Sequence, residues 1–79
     1  PEDFVREIRR IIKQTQGVRS IHLLRTRRMG EDAYVDTHLV VDSRISVSEG
    51  HMIGDDVRDN LKTEFDDVVD VLVHIDPED

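Results

Sequence analysis

The amino-acid sequence predicts an α+β fold in which two helices cover one face of a three-stranded mixed sheet. Two segments place apolar residues three and four positions apart, which is the spacing of a helix face. Three other segments are aliphatic runs of strand length, and a glycine-containing turn joins the first two into a hairpin. The order α-β-β-α-β corresponds to a ferredoxin-like sandwich that lacks its first strand.

The first half of the chain is expected to form one helix and the hairpin. The helix should run from about Glu2 to Gln16, and Gly17 stands where a C-terminal cap belongs. Its core face is expected to comprise Phe4, Ile8, Ile11, Ile12 and Thr15. Strands are expected over residues 18–28 and 33–42, with the turn between them.

The second half is expected to form a helix and the last strand. Ser46 and Glu49 match a capping box, in which the two side chains satisfy backbone amides of the first turn. The core face of this helix is expected to comprise Ile53, Val57, Leu61 and Phe65. The last strand should cover residues 68–75, and Pro77 is expected to end it. The connection through the helix should return it parallel to the second strand with a right-handed crossover.

Size and composition limit the classes of protein to which the chain could belong. A chain of 79 residues forms one domain and usually needs a metal, a disulfide or a partner chain for stability. Cysteine is absent, so disulfides and thiolate zinc sites are excluded. Neither a membrane span nor a signal peptide is visible. Because the first residue is Pro1, we expect a piece excised from a longer protein.

The net charge of −7 is distributed unevenly along the chain. Residues 1–30 carry eight Lys/Arg and three Asp/Glu, a net charge of +5, whereas residues 31–79 carry three and fifteen, a net charge of −12. Because no aromatic residue is interleaved with the arginines and the acidic half would repel phosphates, no nucleic-acid partner is expected. The basic segment is interpreted as a solvated helix, or as one that follows a membrane span on the cytoplasmic side.

Side-chain alternation along the strands places candidate metal ligands on one face. Residues two apart in a strand share a face, and the apolar set should pack under the helices. The core set is expected to comprise Ile21, Leu23, Val35, Thr37, Leu39, Val41, Val69, Val71, Val73 and Ile75. The opposite face should then expose the apolar side chains Leu24, Val40 and Leu72 and four candidate ligands, His22, His38, His74 and Asp76.

Imidazole and carboxylate groups suit zinc and its neighbours in the first transition row. A single histidine on an exposed sheet face is usually only solvated. Four donors on the same face leave two interpretations, a metal site and a solvated surface.

His51 belongs to the start of the second helix rather than to the sheet. It is about 200° from Ile53 around the helix, at 100° per residue, so it should point away from the core. One interpretation is an exposed histidine near Asp55, one turn along. The other is a metal ligand that reaches the open face of the sheet from the rim of its own chain or from a neighbouring chain.

Five motifs occur in an order and spacing that resemble one known family. They are Gly17-Val18, Ile21–Arg27 followed by Gly30, Val35–Leu39, Ser46–His51 and Val73–Pro77. Together they resemble the cytoplasmic C-terminal domain of cation diffusion facilitators, membrane antiporters that export zinc and related divalent cations in exchange for protons. The resemblance covers nearly the whole chain.

The resemblance implies a metallochaperone-like fold and a homodimer with its metal-binding face at the interface. In zinc-exporting members, a binuclear zinc cluster is ligated at the positions that match His22, His38, His51, His74 and Asp76. Each of these positions carries a ligand in this chain. Zn²⁺ is therefore expected, and Cd²⁺, Co²⁺, Ni²⁺, Fe²⁺ and Mn²⁺ are also compatible with His and Asp ligands.

Residues 1–79 are accordingly expected to be a regulatory metal-binding domain excised from a larger membrane transporter. Its partners would be a second copy, divalent metal ions and the attached transmembrane domain, at the cytoplasmic face of a membrane. A soluble face that holds metal between two protomers has no path across a bilayer, so the site is interpreted as regulatory. It would couple the cytosolic metal level to the conformation of the transporter.

Two other functions are possible for a small fold of this kind. A hydrolase of the acylphosphatase type needs a phosphate-binding loop and a placed Asn, but Asn60 stands inside the second helix and no glycine-rich cradle occurs. A metal-dependent hydrolase needs a general base with a defined partner, and none stands out, so no enzyme is expected. A small-molecule-sensing domain would not require a histidine cluster.

Overall fold

The computed structural model describes residues 2–79, although not the side chain of Glu2. These residues form two helices and three strands, which are α1 (Glu2–Gln14), β1 (Ser20–Met29), β2 (Asp32–Val41), α2 (Val47–Glu64) and β3 (Val68–Pro77). The sheet order is β1-β2-β3, with β1 antiparallel and β3 parallel to the central strand β2. The predicted element order and strand directions are therefore confirmed. Within the described residues, neither helix is long and apolar enough to cross a membrane.

Both helices pack on the same face of the sheet through one apolar cluster. The buried members from both layers are Ile8, Ile11, Ile12, Ala33, Val35, Leu39, Val57, Leu61, Val68 and Val71. Full burial of an aliphatic side chain contributes about 1.5–3 kcal/mol, so this cluster is the main source of stability. Thr37 is buried among these residues, and its hydroxyl donates a hydrogen bond to the Leu23 carbonyl at 2.8 Å. Within residues 2–79, no helix covers the other face of the sheet.

Local hydrogen bonds set the ends of the helices. At the start of α2, the Ser46 hydroxyl accepts from the Glu49 amide at 3.0 Å, and the Glu49 carboxylate accepts from the Ser46 amide at 2.9 Å. The predicted capping box is therefore confirmed. The first helix ends before Gln16, earlier than expected, because the Thr15 amide bonds to the Ile12 carbonyl at 3.1 Å and tightens the last turn. Gly17 follows with a φ of 96°.

A register shift in β1 changes which of its residues face the helices. The shift lies between Ile21 and Leu23, so His22 is the additional residue of a β-bulge. Leu23 then pairs with His38, on the open face, while Leu24 packs against the core cluster. The expectation that Leu23 faces the core and Leu24 the open side was wrong, because the bulge reverses the alternation after it.

A second register shift occurs where β3 begins. Ala33 pairs with Val68 and Tyr34 pairs with Asp70, which leaves Val69 without a partner of its own in β2. Val68 is buried, whereas Val69 is 41% exposed, so the expectation that Val69 is a core residue was wrong. From residue 70 to the end of the strand the predicted alternation holds.

Candidate metal centre

The centre of the candidate site is a pair of histidines on adjacent strands. His38 on β2 and His74 on β3 are in-register neighbours in the parallel pair, so their side chains lie side by side on the open face. Their ring centroids are 4.4 Å apart, with the planes inclined at 42°. Asp76 follows on the same face of β3, in register with Val40. The predicted placement of these three side chains on the face opposite the helices is confirmed.

His22 joins this group although it lies in the bulge of β1. Its ring centroid is 6.5 Å from that of His38. His22, His38 and Asp76 can each present one ligand atom, with all three atoms within 4.8 Å of one another. A bulge commonly re-aims a side chain, and here it leaves His22 beside the central strand. Three strands thus contribute to one donor group.

A second donor group contains a carboxylate that was not among the predicted ligands. Asp36, His38 and His74 also present ligand atoms within 4.8 Å of one another, and Asp36 Oδ1 lies 3.9 Å from His74 Nε2. Asp36 Oδ1 is buried and has no hydrogen-bond partner within residues 2–79. The sequence did contain a signal, because Asp36 is two residues before His38 and therefore shares its face.

His51 lies apart from the sheet, in the first turns of α2. Its side chain is 78% exposed, and its Nε2 is 3.4 Å from Asp55 Oδ2. The predicted orientation away from the core is confirmed. Among the described residues, His51 belongs to neither donor group. It does line a surface groove with Ile75 and Pro77, at the end of β3 that carries Asp76.

The donors in both groups suit a divalent ion of the first transition row. Each group offers two imidazoles and one carboxylate. Ligand atoms on a tetrahedral ion with bonds of about 2.1 Å lie roughly 3.4 Å apart, so separations within 4.8 Å need only small side-chain rotations. The buried, unpartnered oxygen of Asp36 also fits a cation, which would satisfy it.

Comparison with known proteins agrees with this geometry. Residues 1–78 match the family model ZT_dimer, which is described as the cytoplasmic domain of cation efflux proteins. The chain belongs to this family. The resemblance inferred from the five motifs is therefore confirmed, and the family is one of transporter domains rather than enzymes.

The matching relatives are considerably longer than this chain. Metal tolerance protein C1 of Arabidopsis thaliana is 42% identical over 77 residues, which are 98% of this chain and 16% of that protein. The cation-efflux pump FieF of Pectobacterium atrosepticum is 35% identical over 77 residues, 98% of this chain and 25% of the pump. The manganese efflux system protein MneP of Bacillus subtilis is 31% identical over 75 residues, 95% of this chain and 25% of that protein. The chain therefore spans a quarter or less of their lengths.

Solved structures confirm the ferredoxin-like fold. A variant of the MamM C-terminal domain superposes with a TM-score of 0.94 at 22% identity, covering 99% of this chain and 95% of that one. A manganese form of the same domain gives a TM-score of 0.91 at 25% identity, covering 98% of both chains.

Proposed function

We propose that residues 1–79 are the regulatory metal-binding domain of a divalent cation efflux transporter, and that Zn²⁺ is the ion they sense. The observation that carries this proposal is the convergence of histidine and aspartate ligand atoms from all three strands within 4.8 Å. Membership in the family of cation efflux cytoplasmic domains supports the assignment to a transporter. The ligands proposed are His22, His38, His51, His74 and Asp76.

The central strand gives these ligands different roles. His38 belongs to both donor groups, so it is the ligand on which binding depends most. His22 and Asp76 bind on one side of it and His74 on the other. His51 would reach the metal from the groove it shares with the end of β3, or from a second copy.

A second copy of the chain is the partner proposed for the open face. Leu72 is 54% exposed there, beside the donors, and offers an apolar contact to a partner. The family model's name, ZT_dimer, also supports a dimer. Bound cations would offset the repulsion between two chains of net charge −7 and draw the protomers together.

Closer protomers would change the geometry of an attached membrane domain. The length of the relatives, at least four times that of the matched segment, supports such a domain. A metal that binds the closed pair more tightly than the open pair shifts the equilibrium by that difference in affinity. The chain would thereby report the cytosolic metal level to the transporter.

Zinc and manganese are the two ions to distinguish. Imidazole-rich sites bind Zn²⁺ more tightly than Mn²⁺, which favours zinc. The relative named as a manganese efflux protein favours manganese as a second candidate. The order of affinities decides between them, because only a site with additional oxygen donors or a matched geometry would favour Mn²⁺.

Calorimetric titration of the metal-free chain with Zn²⁺ and with Mn²⁺ tests the proposal. We expect Zn²⁺ to bind more tightly and to raise the Tm, since a ligand held at one hundred times its Kd stabilises the native state by about 2.7 kcal/mol. The double variant His74→Ala/Asp76→Ala should lose most of this gain. Asp66→Asn, a change outside the sheet, is the matched control. An unchanged zinc-induced shift in the double variant would refute the ligand assignment.

A further inference from the structure

Packing does not account for the position of the Asp36 side chain, and Asp36 is not one of the five proposed ligands. We infer that Asp36 is itself a metal ligand, so that the sheet carries two three-donor groups on either side of His38. The inference rests on the proposed metal-binding function and specifies which carboxylate serves the group that contains His74. The two groups are His22, His38 and Asp76 on one side and Asp36, His38 and His74 on the other.

The position of Asp36 favours a ligand over a structural residue. Its side chain is 40% exposed, but the Oδ1 atom itself is covered, lies 3.9 Å from His74 Nε2 and has no hydrogen-bond partner in residues 2–79. A buried carboxylate oxygen without a partner is costly, so such groups normally find a donor or a cation. The distance to His74 exceeds that of a hydrogen bond, but it is suitable for two ligands that approach one ion.

The neighbouring cation does not satisfy Asp36. Arg25 on β1 is its in-register neighbour. Within residues 2–79, however, the ion-pair contact of the Asp36 carboxylate is with His74 and not with the Arg25 guanidinium. Leu72, its neighbour on β3, is apolar and offers no donor from its side chain. The polar group that faces the Asp36 oxygen is thus His74, itself a proposed ligand.

Sharing of His38 has a consequence for stoichiometry. A neutral imidazole has one nitrogen lone pair available, so His38 serves one ion at a time. Two ions would therefore divide the donors unequally. One would take His22 and Asp76, the other Asp36 and His74, and His38 would complete only one of the two sets. Two binding events of different affinity are expected for each chain.

The test compares Asp36→Asn with Asp70→Asn by calorimetric titration with Zn²⁺ and by thermal unfolding of the metal-free proteins. Asparagine keeps the size of the side chain but removes its charge. Asp70 lies on the same face, in register with Tyr34, and belongs to neither donor group of the described residues. We expect Asp36→Asn to weaken one binding event at least about tenfold, since even indirect partners of metal ligands cost 10–100-fold. Asp70→Asn should bind as the unsubstituted chain does.

Thermal unfolding separates a ligand from a structural residue. The metal-free Asp36→Asn protein should have a Tm no lower than that of the unsubstituted chain, because the substitution breaks no hydrogen bond of the covered oxygen and removes its charge. An unchanged titration would refute the inference alone. A lower metal-free Tm alongside it would assign Asp36 a structural role through its contact with His74. If the unsubstituted chain bound no ion, the proposed function would fail as well.

Discussion

The Asp42 carboxylate joins the turn after β2 to the segment that precedes β1. It accepts hydrogen bonds from the Arg44 guanidinium at 2.9 Å, from the Arg44 amide at 2.9 Å and from the Arg19 guanidinium at 3.0 Å. The Arg44 side chain is the main reason that the pKa of Asp42 lies well below its usual range. Arg19 also approaches Glu78, beyond β3, at 3.9 Å. These contacts hold the edge of the sheet near Asp76.

The lowered pKa of Asp42 predicts a dependence of stability on acid pH. A carboxyl group whose pKa is lower in the folded state stabilises the fold above its unfolded value of 3.8. This contribution is lost as the pH falls from there towards the folded value. We expect the Tm of the unsubstituted chain to fall more steeply below about pH 4 than that of Asp42→Asn. Thermal unfolding across this range, with Asp66→Asn as the control, measures the difference. Equal slopes of Tm against pH in the unsubstituted chain and in Asp42→Asn would contradict this prediction.

The shared position of His38 predicts that it matters more than His51 for metal affinity. His38→Ala removes a ligand from both donor groups and should abolish most of the zinc-induced rise in Tm. His51→Ala should retain the larger part of it, because the ligands on the sheet remain. Thermal unfolding with and without Zn²⁺ measures both. If His51→Ala lost as much of the zinc-induced rise in Tm as His38→Ala, then His51 would be an equal ligand. It would reach the metal from the rim of its own chain or from the partner.

The candidate site was predictable to the extent that strand alternation is regular. His38, His74 and Asp76 lie on regular parts of β2 and β3, and their common face could be derived from parity alone. Asp36 has the same parity as His38, but its buried oxygen is a three-dimensional feature with no sequence signature. The distance of His51 from both donor groups likewise depends on how α2 packs, which its sequence does not specify.

At the scale of the elements, the two bulges limited what the sequence could predict. The bulge at His22 in β1 directly precedes the aliphatic pair Leu23-Leu24, and the shift in β3 falls at the aliphatic pair Val68-Val69. Either register buries an aliphatic side chain at such a pair, so hydrophobic pattern does not distinguish them. The helices, the hairpin and the strand directions were correct, because spacing, the turn and the capping box all agreed.

Glycines determine how closely α2 approaches its neighbours, and two of them should respond oppositely to alanine. Gly17 has a φ of 96°, and an added Cβ would lie 2.5 Å from Ile53 Cδ1. Gly54 is helical, and a Cβ there would lie 3.6 Å from Val73 Cγ1, an ordinary contact. We expect Gly17→Ala to destabilise the fold by more than about 1 kcal/mol. Gly54→Ala should be neutral or stabilise it by up to about 1 kcal/mol.

Denaturant unfolding of the two glycine variants measures both changes. Each variant is the control for the other, because both add one methyl group, Gly54→Ala within α2 and Gly17→Ala against it. A destabilisation of Gly54→Ala as large as that of Gly17→Ala would mean that α2 and β3 leave no room for a methyl group at Gly54.

At the scale of the whole molecule, the two faces of the sheet differ in what covers them. One is covered by both helices and contains the apolar core. The other carries the candidate metal donors and partly exposed apolar side chains. The helices and the sheet already form two layers, and a partner chain on the open face would bury its exposed apolar side chains. The family name and the small size of the chain favour a second copy as that partner.

Association of two chains through the open face predicts a specific effect of one apolar side chain. Leu72 is 54% exposed on that face, whereas Met52 is 62% exposed on α2. Burial of a leucine is worth about 1.5–3 kcal/mol, so Leu72→Gln should weaken dimerisation at least about tenfold. Met52→Gln, a change of similar size on a helix, should leave it unchanged. Sedimentation should give a mass near twice 9.2 kDa for the unsubstituted chain with Zn²⁺.

The dependence of the dimer on metal follows from charge. Two chains of net charge −7 repel each other, and cations bound at the proposed interface would reduce that repulsion. We therefore expect scattering to report a more compact dimer with Zn²⁺ than without it. In a two-fold dimer each donor group occurs twice along the interface. Weaker dimerisation in Leu72→Gln should therefore also weaken the metal-dependent compaction. A monomer at high micromolar concentration with Zn²⁺ present would refute the interface and leave an open-faced site within one chain.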